Sequence, residues 1–132
     1  MEIISIQNLK NNELVADQCT VANHFWIRLK GLIGRSTLKR GEGLWIPRCG
    51  SIHMWFMRTP IDVVFLRPAM CPALRSWTVK EGSRWVVTSV HRNVKPWRLL
   101  PLWDFSATGV LELPCSTVQN STIQAGDELC LS

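Results

Sequence analysis

Cys49-Gly50-Ser51-Ile52-His53-Met54-Trp55-Phe56-Met57-Arg58-Thr59-Pro60-Ile61-Asp62-Val63-Val64-Phe65-Leu66 sets a histidine, an arginine and an aspartate in an otherwise mainly apolar and aromatic segment. Such groups are costly to bury unless they are paired. The segment reads as two strands, Ile52 to Met57 and Asp62 to Leu66, separated by Thr59-Pro60. After its aspartate the second run is continuously apolar, the pattern of a central strand buried on both faces.

Working outward, Glu2 to Gln7 and Glu13 to Ala16 predict a hairpin turning at Asn11-Asn12. The segment 21–33 follows Thr20, a candidate cap, and carries Phe25, Trp26, Leu29, Leu32 and Ile33 at helical spacing. It predicts one packed helix, stopped at Gly34. Further short strands are expected at Leu44 to Ile46, Trp85 to Val90, Val110 to Leu113 and Glu128 to Leu131, with Pro96 to Pro101 as a turn-rich crossing. Residues 67–82, with Pro68 and Pro72, read mainly as an excursion. The expectation is one domain over 1–132, mostly β (α+β). It is a small closed or half-closed antiparallel β-barrel-like domain with the helix packed on it; an open sheet under the helix is the alternative.

Composition fits a globular chain of 132 residues, with 46% hydrophobic and 19% charged residues. No apolar run reaches the roughly 18 residues of a membrane span. Glu2 and the short apolar stretch after it do not make a signal peptide, and a cytoplasmic location is expected. Five cysteines, Cys19, Cys49, Cys71, Cys115 and Cys130, are odd in number and widely spaced. They read as free thiols; a zinc site on Cys49, His53 and Cys71 lacks a second close pair, and no metal or cofactor is expected.

Charge is unevenly spread. Residues 28–98 hold 14 of the 15 Lys and Arg and only three acids, a balance of +11, whereas 99–132 carry −4 with no Lys or Arg. Such a middle suits nucleic acid, an acidic partner or an anionic ligand, or is a solvated face neutralised by the chain ends. Seven tryptophans accompany no tyrosine. They either pack the core and seal its edges or, in part, line a groove for a flat ligand.

The ordered segments Arg28-Leu29-Lys30-Gly31-Leu32-Ile33-Gly34-Arg35, Gly43-Leu44-Trp45-Ile46, His53-Met54-Trp55-Phe56-Met57 and Pro60-Ile61-Asp62-Val63-Val64-Phe65-Leu66 resemble the DUF192 family of small bacterial and archaeal domains. Val94 to Arg98, Val110 to Leu113 and Ile123 to Leu129 extend the likeness to about Thr20 to Leu131. The resemblance implies a barrel-like, mostly β fold and no established reaction. Three features depart from the family's pattern: Met54 in place of a usual threonine, Cys115-Ser116 after Leu-Glu-Leu-Pro, and a loop at 67–84 enlarged by about a dozen residues.

Two polar sets are candidates for a site. His53 and Asp62, on neighbouring expected strands, either meet as an acid–base pair or serve the backbone, with Asp62 capping the Thr59-Pro60 turn. Arg58, Arg98 and Glu112 either form an internal ion pair or, with Trp55, read a ligand; Glu112, between Leu111 and Leu113, points to solvent or into the barrel. A non-catalytic binding or accessory module for a small polar ligand or a partner protein is the favoured expectation. An enzyme using His53 and Asp62, and a nucleic-acid binder using 28–98, are the alternatives.

Overall fold

The apolar run after Asp62 forms the strand around which the rest is ordered. In the computed structural model, which describes residues 2–21, 39–48, 51–52, 60–69, 83–95, 102–115 and 122–132, this strand is β5, Ile61–Pro68, with Ile61 to Leu66 all buried. The other strands are β1 (Ile3–Asn8), β2 (Glu13–Val21), β3 (Glu42–Pro47), β4 (Ser51–Ile52), β6 (Ser83–Val94), β7 (Leu102–Trp103), β8 (Gly109–Pro114) and β9 (Glu128–Leu131). Seven of them close into a barrel in the order β1-β2-β3-β8-β5-β6-β9, and β4 pairs with β7 in a separate two-stranded sheet. Closure leaves the barrel strands no continuous open edge, which is how a small all-β chain satisfies its backbone.

All barrel pairings are antiparallel except β2 with β3, which is parallel. The expected hairpin is present, with Asn12 in the left-handed region at φ 58° in its turn. β2 runs on to Val21, so the first residue of the expected helix is strand; the remainder of 21–33 lies outside the described residues. Among the described residues there is no helix. The expected loop at 67–84 is shortened at both ends, because Arg67 and Pro68 extend β5 and Ser83 and Arg84 begin β6. Its middle, like the crossing at 96–101, lies outside the described residues.

One face of β3, β8 and β5 fills the barrel. Trp45, Val64, Leu66, Leu111 and Leu113 join Ile6, Cys19, Leu129 and Leu131 in one buried cluster. Trp45 meets Trp85 edge to face, with ring centroids 4.8 Å apart. This is a favourable arrangement of the two ring quadrupoles. A Cβ at Gly109 would stand 2.2 Å from the Trp45 ring, so the glycine is what lets the indole lie across β8. The opposite face of these strands is buried as well: Leu44, Ile46, Val110, Ile61, Val63 and Phe65 are each at most 5% exposed. Burial on both faces explains why β5 and β8 read as continuous apolar runs.

β6 is the longest strand and bends twice. Its register against β5 slips between Ile61 and Val63, opposite Arg92 and Asn93, and again between Phe65 and Leu66, opposite Thr88. Each slip sets an extra β6 residue against β5, which is a β-bulge.

Candidate functional site

Asp62 is 3% exposed and sits opposite the first bulge of β6. Asn93, at φ 53°, turns its backbone N–H out of the regular ladder and donates it to Asp62 Oδ1 at 2.9 Å. The carboxylate thus supplies the partner that the bulge removes from the ladder. Asp62 therefore holds a β5–β6 irregularity; the expected cap of the Thr59-Pro60 turn involves Thr59, which lies outside the described residues. The expected meeting of His53 with Asp62 falls on His53, which lies outside the described residues. Both edges of β5 are occupied, by β6 and β8, while β4, which leads towards His53, pairs with β7. A strand has two edges, and those of β5 are taken. His53, Trp55, Arg58 and Arg98 themselves lie outside the described residues.

Glu112 is described, and it faces neither solvent nor the barrel interior. It is 2% exposed on the face of β8 opposite Leu111 and Leu113, in a transverse row Leu44–Glu112–Val63–His91. Its Oε1 has no hydrogen-bond partner among the described residues. Burial pushes the carboxyl up from 4.5 to about 7, because the charged form is starved of solvent. The sequence offered both possible faces for this residue but not that each would be covered.

A second carboxylate, which sequence reasoning missed, organises the other bulge. Thr88 Oγ1 and Ser89 Oγ each donate to Asp104 Oδ2 at 2.7 Å. In a regular strand neighbouring side chains point to opposite faces, so two consecutive hydroxyls reach one oxygen only because β6 bulges there. The other oxygen, Oδ1, accepts the Ser106 backbone N–H at 2.9 Å and the Ser106 hydroxyl, a turn of the kind Asp favours two residues ahead. Burial alone would raise the Asp104 carboxyl; the hydroxyls of Ser106, Thr88 and Ser89 and the Ser106 N–H outweigh it and hold it well below the usual carboxylate range. The Asp-x-Ser spacing at 104–106 was the available signal, while the bulge that gathers Thr88 and Ser89 has no sequence signature.

With Asp104 turned inward, its neighbours turn outward. Trp103 is 52% and Phe105 95% exposed. The turn is tied back by Ala107 N–H to the Asp104 carbonyl at 3.1 Å and by Thr108 N–H to the Leu66 carbonyl at 2.9 Å. It lies at the end of the barrel where Pro47, Gly109 and Leu66 stand side by side across β3, β8 and β5. Arg48 and Arg67, one residue beyond, are both exposed there. Asp62 is at the opposite end of β5, away from the loop that leaves Pro68.

Of the cysteines, Cys19 is fully buried, and burial pushes its thiol up to about 12, which makes it inert. Cys115 and Cys130 are half-buried and form no disulfide, the Cys115 thiol donating to Asn93 Oδ1 at 3.3 Å, and Cys49 and Cys71 lie outside the described residues. Among the described residues no three His, Cys, Asp or Glu are grouped to hold a metal, and no helix is long and apolar enough to cross a membrane.

These features define a small closed β-barrel with one sealed acid, one acid spent on a backbone bulge, and an aromatic turn displayed at one end. The chain belongs to the DUF192 family, whose model, described as "Uncharacterized ACR", matches residues 6–71. The matched part includes the segment Arg28 to Arg35 and the β5 motif; the resemblances after residue 71 lie beyond it. No curated protein matches the chain. Among solved structures it is similar to a "putative transcription regulator" from Sinorhizobium meliloti 1021, with a TM-score of 0.69 and 18% identity, covering 96% of this chain and 89% of that one. It is also similar to a protein of unknown function from Novosphingobium aromaticivorans DSM 12444, with a TM-score of 0.67 and 18% identity over 96% and 82% of the two chains. At that identity the likeness is one of fold.

Proposed function

We propose that the chain is a non-catalytic binding module, for a small polar ligand or a macromolecular partner, acting through the barrel end that carries Trp103 and Phe105. The observation that carries this reading is the display of two large exposed aromatic side chains on a turn fixed by Asp104. Ordering such a surface in advance lowers the entropic cost of binding. An acid–base role for His53 with Asp62 is weakened because Asp62 is buried and already accepts the Asn93 N–H. Trp55, Arg58 and Arg98 enter as ligand contacts from the sequence alone. Glu112 is sealed, and a ligand would reach it only by displacing what covers β8.

A thermal-shift screen of small polar compounds, peptides and oligonucleotides, run with product analysis, tests the proposal. A compound that binds the native chain raises its Tm by mass action. The expected result is stabilisation of the wild-type chain that disappears in a Trp103→Ser/Phe105→Ser variant of unchanged basal Tm. Turnover of any compound that is lost in Asp62→Asn would overturn the reading in favour of an enzyme.

A further inference from the structure

We propose that the partner is single-stranded nucleic acid, with Trp103 and Phe105 stacking on bases and Arg48 and Arg67 meeting phosphates. The inference rests on the binding-module reading and assigns its occupant. Strand register brings the four residues together: Pro47, Gly109 and Leu66 lie in one row at one end of the barrel, Arg48 and Arg67 follow two of them, and the turn bearing both rings leads into the third. Exposed aromatic rings beside cations are the combination that tracks a flexible polyanion whose bases are free to stack.

The acids described near this end are largely engaged. Glu128, in the row Arg67–Val86–Glu128, lies 3.8 Å from Arg84, and the Asp104 carboxylate accepts from four donors, while Glu2 is exposed. Arg67 has no ion-pair partner among the described residues. At the opposite end Lys10, Lys39 and Arg40 share the surface with Glu13, Asp17, Glu42 and Asp127, and Lys10 already lies 3.6 Å from Asp127. The net charge of +5 favours a polyanion over a basic peptide. A duplex fits less well, because its bases are stacked on one another and offer no free faces to the rings.

The test is fluorescence anisotropy of the full chain with dye-labelled single-stranded DNA and RNA of mixed sequence, at two salt concentrations. Binding that weakens steeply with salt is expected. Phe105→Ala and Trp103→Ala should each weaken it by roughly tenfold, in line with the loss of one stacked base. Arg67→Ala should flatten the salt dependence by about 0.7 in log–log slope, the effect of one fewer phosphate contact to a single strand. Lys10→Ala, at the far end, should change neither affinity nor slope by as much. All four side chains are exposed, and unchanged melting of the variants keeps the comparison free of folding effects. No salt-sensitive binding, binding indifferent to the two aromatic substitutions, or equal binding of an acidic polypeptide such as polyglutamate would overturn the inference. If oligonucleotides fail while another compound still stabilises the wild-type chain through Trp103 and Phe105, only the occupant is wrong.

Discussion

Replacing Glu112 by glutamine removes an ionisable group while keeping its size and polarity, and so isolates what burial does to this carboxyl. In the folded chain its pKa stands near 7 against an ordinary 4.5. Between those values the unfolded chain releases the proton and the folded chain retains it. The folded state therefore binds more protons, and stability falls as pH rises. Glu112 thus contributes stability that is fully present below about pH 4.5 and lost as pH climbs through about 7. The interval between the two values corresponds to roughly 3 kcal/mol. For a domain of this size that is about 10 °C in Tm. Urea unfolding of wild type and Glu112→Gln at pH 4, 6 and 8 measures it. Relative to wild type, the variant should gain roughly 3 kcal/mol between pH 4 and pH 8. A difference that stays constant with pH would refute the reasoning, because it would mean that the carboxyl is solvated or paired in the folded chain.

Three further substitutions probe the frame. Phe65→Ala, at a fully buried position on β5, should cost roughly 3–5 kcal/mol in chemical denaturation; a loss below about 1 kcal/mol would show that Phe65 is not core. Gly109→Ala places a methyl 2.2 Å from the Trp45 ring, in a core that cannot yield, and should lower Tm more than alanine at any exposed site. Asp62→Ala should cost about 1–3 kcal/mol and lose the Asn93 amide's protection from hydrogen exchange, whereas Asp62→Asn retains an acceptor and should cost less. An Asn93 amide that stays protected in Asp62→Ala would show that the bulge is held by something else.

The strands were legible where local pattern and tertiary environment agree. The apolar run of β5, the Asn-rich first turn and the proline-stopped β8 each announce themselves, because burial on two faces and positive φ leave marks on residue choice. The parallel pairing of β2 with β3 was not legible, since register between distant strands leaves no local trace. The candidate site was legible only in part. Asp62 was singled out for being an acid in an apolar strand, and its structural role was among the readings weighed, but its partner, the Asn93 N–H, exists only because β6 bulges. Glu112 was recognised as facing away from two leucines. That both faces of β8 are covered depends on the whole chain. Asp104 escaped notice because Thr88 and Ser89, which bind it, are 16 and 15 residues away and meet it through a bulge. Trp103 and Phe105 are ordinary aromatic residues in sequence, and only the inward turn of the aspartate between them makes them a surface.

The claim that the acids of the β5 region serve the fold, while the Trp103–Phe105 turn serves binding, is tested most directly by residue-resolved NMR of the full chain titrated with a single-stranded oligonucleotide. The account predicts shifts concentrated at the Trp103 indole, at the amides of residues 103–108, and at Arg48 and Arg67. Shifts centred instead on Asp62, Asn93 and Glu112, with the 103–108 turn unmoved, would contradict it.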